Sequence, residues 1–170
     1  TGLTNILIFF LQESLNWTTK ASSGTLVVVG IIAIIVQGGL IGPLVKQFGE
    51  MRLTLIGSGF ILVACSLLIT APKENATINI YSAVSFLAVG AGLITPTLRA
   101  LISKKLDVDK QGSILSNLQG LQSLGGVLGI AMAGRVYDSF GPKSPFIAGS
   151  IILIFMIYLI AEGKNNNSFN

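Results

Sequence analysis

Apolar residues dominate five stretches of the chain, 24–45, 53–71, 78–102, 112–136 and 145–161, and nearly all the charged residues fall between them. A helix needs about 20 mostly apolar residues to cross the ~30 Å hydrocarbon core of a bilayer, so each stretch predicts one transmembrane helix. A sixth run, 2–11, is too short to cross by itself and predicts the closing part of a further helix over about residues 1–12. Thr1 stands where an initiator methionine would, and the run has neither a basic leader nor a small-residue cleavage site. The expectation is therefore a fragment, not a chain with a signal peptide. Ser22 and Ser23 are placed to cap the helix that starts near Gly24, and Pro72, Gly141, Pro142 and Pro145 mark later breaks. Residues 163–170 are polar and aperiodic and read as a disordered tail. The predicted architecture is an all-α polytopic membrane bundle of six helices, the first of them truncated.

Composition agrees: 51% of residues are hydrophobic and 11% charged, against roughly 25% charged in a soluble domain, and the mean hydropathy is +0.77. With one cysteine, Cys65, and no histidine, neither a disulfide framework nor a Cys/His zinc site can be drawn, and no cofactor is expected. The net charge of +4 is scattered over short loops, which argues against a nucleic-acid partner and for a topological role. If the loop 46–52 is cytoplasmic, then Lys46, Arg52, Arg99, Lys104, Lys105, Lys110 and Lys164, seven of the eleven basic residues, lie on that side. Cytoplasmic loops are enriched in Lys and Arg, so the carboxyl terminus is expected inside. The glycosylation-type triplets at Asn16 and Asn75 then fall outside and read as coincidence in polar loops.

The runs differ in polar content. Stretches 53–71 and 145–161 hold nothing more polar than Ser, Thr, Cys and one Tyr, whereas the other three contain Gln37, Arg99, and the group Asn117, Gln119 and Gln122. Such groups are costly against lipid and face a bundle interior or a wet cavity. Three helices are thus expected to line something and two to face lipid. Steps of about 100° along 112–136 gather Gly112, Ser116, Gln119, Gly120, Ser123 and Gly126 in one stripe, with Gly125 and Gly129 as a small-xxx-small pair on another face. Gln37, Asn117, Gln119, Gln122 and Ser123 are candidate cavity residues. The other reading, amides that only join helices, also stands.

In 78–102, Gly90, Gly92 and Pro96 interrupt an otherwise regular helix. Pro96 has no N–H for the carbonyl of Gly92, which makes either a hinge or a static kink. Arg99 lies five residues before Lys104, about 7.5 Å along a helix. Its side chain can snorkel to the headgroups, or it can close the cytoplasmic mouth or pair with an acid elsewhere in the protein.

The segment "GPLVKQFGEMR" resembles the weaker second-half copy of a cytoplasmic hairpin, Gly-x-Leu-x-Asp-Arg-x-Gly-Arg-Arg, that marks the major facilitator superfamily. Gly42, Leu44, Gly49 and Arg52 match, while Lys46 stands where the acid is expected and Gln47 where the first arginine is. The stretch "GLITPTLRALISKKLDVDKQGSILSNLQGLQSLGGVLG" is similar to helices ten and eleven of the twelve-helix drug-efflux antiporters, the tetracycline exporters in particular. The matching residues are Pro96 and Leu98 at a helix end, Ser103, the acidic loop with Asp107 and Asp109, then Gln111 and Gly112.

The resemblance implies the carboxyl-terminal six-helix bundle of that fold, from late helix seven to helix twelve, in a plasma membrane, the bacterial inner membrane for the exporters. Helices seven, eight, ten and eleven would lie near a central cavity, and nine and twelve outside. The implied partners are the lipid bilayer, an amino-terminal six-helix half, a small organic substrate and protons. The hairpin would latch the two halves together when the cavity opens outward, and Lys46 departs from the charge-relay form of that latch. Every Asp and Glu lies in a loop or at a helix end, Glu13 being the nearest approach to mid-membrane, so a proton carrier is expected in the other half. An importer of sugars, organic acids or other nutrients would share the fold, and a non-transporting scaffold is a further alternative. An enzyme is not expected, for want of a buried His, paired acids, or a Ser with a base at a plausible spacing.

Overall fold

A computed structural model describes residues 19–70, 76–104 and 108–165. Among the described residues the regular structure is entirely helical. It comprises α1 (Thr19–Ile35), a π-helical turn (Val36–Leu40), α2 (Ile41–Phe48), α3 (Glu50–Thr70), α4 (Ala76–Ser103), α5 (Val108–Phe140) and α6 (Ser144–Asn165). The predicted helix over 1–12, Glu13, Asn16, Asn75, Asp107 and residues 166–170 lie outside the described residues. Within the predicted tail, 163–165 continue α6.

Four segments are long and apolar enough to cross a membrane: Ser23–Phe48, Glu50–Thr70, Thr77–Ser103 and Ser144–Glu162. The fifth predicted span, α5, has 33 residues but is not among them. Its amides, serines and glycines dilute its apolar content.

The first span is unbroken but irregular. At its π turn Ile41 N–H donates to Val36 O, five residues back. The local sequence explains the widening: Gly38 and Gly39 lower the cost of leaving α geometry, and Pro43 cannot supply the N–H that Gly39 O would otherwise receive. The span ends at Gly49, with φ 76° and ψ 159°, a region essentially restricted to glycine. Gly49 N–H donates to Val45 O at 2.9 Å, Leu53 N–H donates to Gly49 O at 3.1 Å, and α3 starts at the next residue. A second glycine with positive φ, Gly141 at 88°, ends α5. There Ser144 starts α6 by donating its hydroxyl to Val136 O at 2.8 Å.

Helices α3 and α4 form the antiparallel centre of the described bundle. In hydrocarbon the helices gain little from apolar burial as such and associate through close packing of small residues and interhelical hydrogen bonds. Both devices occur here. Gly57 and Gly90 bring the two backbones together, and a Cβ at Gly90 would lie 2.6 Å from Gly57 O. Thr54 Oγ1 and Thr97 Oγ1 hydrogen-bond across the buried interface at 3.0 Å. Farther along, Cys65, Leu68, Ile80, Val84 and Phe146 pack together, so α6 joins the centre through Phe146. The first span lies against α4 through Val36, which shares a small cluster with Leu53 and Leu93.

Two expectations are corrected. The stretch 53–71 was expected to face lipid, yet α3 buries Leu53, Thr54, Gly57, Ser58, Ile61, Ala64, Cys65 and Leu68, a single stripe that packs on α4 and α6. An all-apolar helix hides such a stripe from any hydrophobic–polar count. The pair Gly125 and Gly129 was expected to pack closely on a neighbour, but a Cβ at either would meet nothing within 4 Å. They line an apolar groove of about 330 Å³ between α5 and α6, opposite Ala148 and Gly149.

Candidate functional site

The most polar side-chain constellation among the described residues joins α4 to α5. One terminal nitrogen of Arg99, Nη2, donates to Gln119 Oε1 and, at 3.4 Å, to Gln122 Oε1. Gln119 and Gln122 are three residues apart on α5 and so share a face. Ser123 extends that face, its hydroxyl donating to Gln119 O at 3.0 Å. Together with Thr95 these residues form the polar part of a groove of about 600 Å³, whose continuation along α5 is Gly126, Val127 and Ile130. A recess of about 300 Å³ adjoins it, lined by Arg99, Ala100, Ser103, Leu115 and Gln119. Arg99 and Gln119 are common to both walls. Among the described residues no carboxylate lines either space. The groove has the size and mixed character of a small-molecule site.

The other candidates are distributed around this centre. Gln37 lies in the π turn and is exposed. Its amide nitrogen is 3.9 Å from where a Cβ of Gly92 would sit, and Val36 Cγ1 is 3.1 Å from that point. At 100° per residue Gly92 shares a stripe of α4 with Thr95 and Arg99, so Gln37 adjoins the groove's α4 wall about 10 Å along the axis from Arg99. Asn117 is exposed and lines neither space. The residues read as a hinge or kink have contact roles: Gly90 meets α3, Gly92 meets the π turn, and α4 runs on through Pro96 to Ser103. Thr97, just after Pro96, donates to Leu93 O at 2.6 Å.

In the hairpin, Leu44 packs beside Val36, Leu53 and Leu93, Lys46 and Arg52 are exposed, Gly42 has open space around it, and Gly49 alone requires glycine geometry. The charged contact of this segment is made by a residue that the sequence left without a role. Glu50, at the start of α3, forms an ion pair with Lys104 at the end of α4, and its side chain is only 12% exposed. Gln111 closes the same end of the bundle by donating to Ser103 O at 3.1 Å. Thr54 and Thr97 were also missed, because hydroxyls in apolar runs read as neutral filler. Their signal was spacing from the crossing glycines: Thr54 lies about one turn from Gly57 and Thr97 about two turns from Gly90.

Membrane-length helices and small-residue crossings define a multi-pass membrane protein. The chain belongs to the Major Facilitator Superfamily, a family of transporters, whose family model matches residues 1–130. It is similar to the Tetracycline resistance protein, class C, of Escherichia coli, with 26% identity over 130 residues, 76% of this chain and 32% of that protein. The class G protein of Vibrio anguillarum is 28% identical over 161 residues, 90% of this chain and 39% of the relative. The Hippocampus abundant transcript 1 protein of Homo sapiens is 22% identical over 139 residues, 82% and 28% respectively. The chain spans about a third of the length of the curated relatives it matches. No solved structure matches it.

Proposed function

We propose that this chain is one half of a secondary active transporter that exports a small, drug-like organic molecule by alternating access, coupled to protons. The groove carrying Arg99, Gln119 and Gln122 is the observation on which this rests. Its polar wall fits the orienting groups of a substrate site, and its apolar continuation fits the body of an organic solute. In transporters of this architecture substrate sites lie near the bilayer midplane between two repeats that rock against each other. The similarity to tetracycline resistance proteins supports export as the direction. None of the Asp or Glu residues falls in mid-span, so the proton-binding acid is assigned to the other half. The plasma membrane, with the hairpin and the carboxyl terminus in the cytoplasm, completes the reading.

Everted membrane vesicles containing the full-length transporter provide the test. An acid-inside proton gradient should drive tetracycline into the lumen, and added tetracycline should release protons from it. Tetracycline uptake indifferent to the gradient would overturn the antiport reading.

A further inference from the structure

We infer that the groove on α4 and α5 binds an organic anion, with Arg99 as the group that holds the negative charge. The inference rests on the transport reading and names the substrate class of the same site. The Arg99 guanidinium is permanently charged and carries five N–H donors. Both donors of Nη2 are directed at the neutral amide oxygens of Gln119 and Gln122, and among the described residues nothing receives the donors of Nε and Nη1. No acid of the described residues reaches the guanidinium. The ion pair among them is made by Lys104, five residues on, with Glu50. Arg99 is exposed on the groove and its charge is met there by amide dipoles alone; an oxyanion supplies what the amides lack: a full opposite charge and charge-assisted hydrogen bonds.

The two glutamines then act as positioning residues. They fix the guanidinium plane over the groove without neutralising it, whereas a glutamate at either place would. Beyond Arg99 the lining becomes Gly126, Val127 and Ile130, and from 119 to 130 the helix advances about 16 Å. The fitting ligand is therefore an apolar or aromatic body with one carboxylate or comparable oxyanion at one end. A cationic ligand is disfavoured by the uncompensated arginine.

Three probes of one size, 1-naphthoate, 1-naphthamide and 1-naphthylmethylammonium, separate charge from shape when their binding to the purified full-length transporter is measured by calorimetry. Naphthoate should bind about tenfold more tightly than naphthamide, the gain of a hydrogen bond to a charged group, and the ammonium most weakly. Arg99→Gln should remove the preference, so that naphthoate binds no more tightly than naphthamide. Gln119→Glu should remove it too, by neutralising Arg99 in place, which keeps the test decisive if Arg99→Gln fails to fold. Equal binding of naphthoate and naphthamide, a preference unchanged by both substitutions, no measurable binding of naphthoate, or tightest binding of the ammonium would each overturn the assignment. Gradient-driven tetracycline uptake in the vesicle assay is read separately. If it persists while the naphthoate preference is absent, only the anion assignment fails; if it is lost while the preference holds, the export reading fails instead.

Discussion

Gly57 of α3 and Gly90 of α4 meet backbone to backbone, and each occupies the space that a side chain on the other would need. A Cβ on Gly90 would stand 2.6 Å from both Gly57 O and Ile61 Cγ1. Ile61 can rotate, but the carbonyl cannot, so the helices must part. Gly90→Ala should destabilise the full-length protein by about 1–3 kcal/mol, the range for overpacking, seen as a lower midpoint of thermal unfolding in detergent. Gly59→Ala, on α3 two residues beyond Gly57 and with open space around it, should cost nothing and gain up to about 1 kcal/mol of helix propensity.

Thr54 and Thr97 lie near that crossing, both buried and bonded to each other at 3.0 Å. One hydroxyl donates to the other, and each also lies within reach of a carbonyl of its own helix, Glu50 O and Leu93 O, so its proton can turn to the backbone when the partner is removed. A double-mutant cycle with Thr54→Val and Thr97→Val should give a coupling of about 0.5–1.5 kcal/mol, as for hydrogen bonds between membrane helices. A coupling of zero would mean that the two hydroxyls serve only their own helices.

Four helices of membrane length were legible because an apolar run of fixed length needs only counting, and Arg99, Gln119 and Gln122, which line the groove, stood out because polar groups in such runs are rare. What joins them was not legible. Arg99 read first as reaching for the headgroups, and nothing in a separation of 20 residues says that two helix faces meet. The packed stripe of α3 was hidden for the opposite reason, since Leu, Ile and Val occupy its outer face as well. The π turn did leave a trace in Gly38, Gly39 and Pro43, which local backbone chemistry connects to a widened turn.

Glu50 and Lys104 tie the first turn of α3 to the end of α4. Lys104 is 68% exposed, so the pair contributes little to stability, about 0–1 kcal/mol. Lys104→Glu should lower the unfolding midpoint slightly, and the added Glu50→Lys should restore it. The restoration should shrink as salt is raised, and a double reversal no better than the single one would remove the pair from the account.

Two glycines of the hairpin motif, Gly42 and Gly49, match the family pattern equally, but the structure separates them. Gly49→Ala forces a side chain into φ 76° and ψ 159°, at a cost of about 1–3 kcal/mol, whereas Gly42→Ala enters open space inside a helix. Thermal unfolding of the two variants should differ by that margin.

For transport, Gln119→Ala takes away one of the two acceptors that aim Arg99 and widens the groove. Tetracycline uptake into everted vesicles should fall about tenfold, the loss of a hydrogen bond to a charged group, with the amount of protein in the membrane unchanged. Full uptake would return Gln119 to a role in helix joining alone.

The joint at Gly49 has a mechanical meaning. One residue spans about 3.8 Å between successive Cα atoms, so α2 and α3 are connected without slack, and Glu50, the very next residue, is clasped to Lys104. A displacement of the end of α2 is thus passed directly to the start of α3, while the Glu50–Lys104 pair adds only a weak tie to α4. The one-residue joint makes α2 and α3 a coupled pair of levers at this end of the bundle, with Gly49 as their fulcrum.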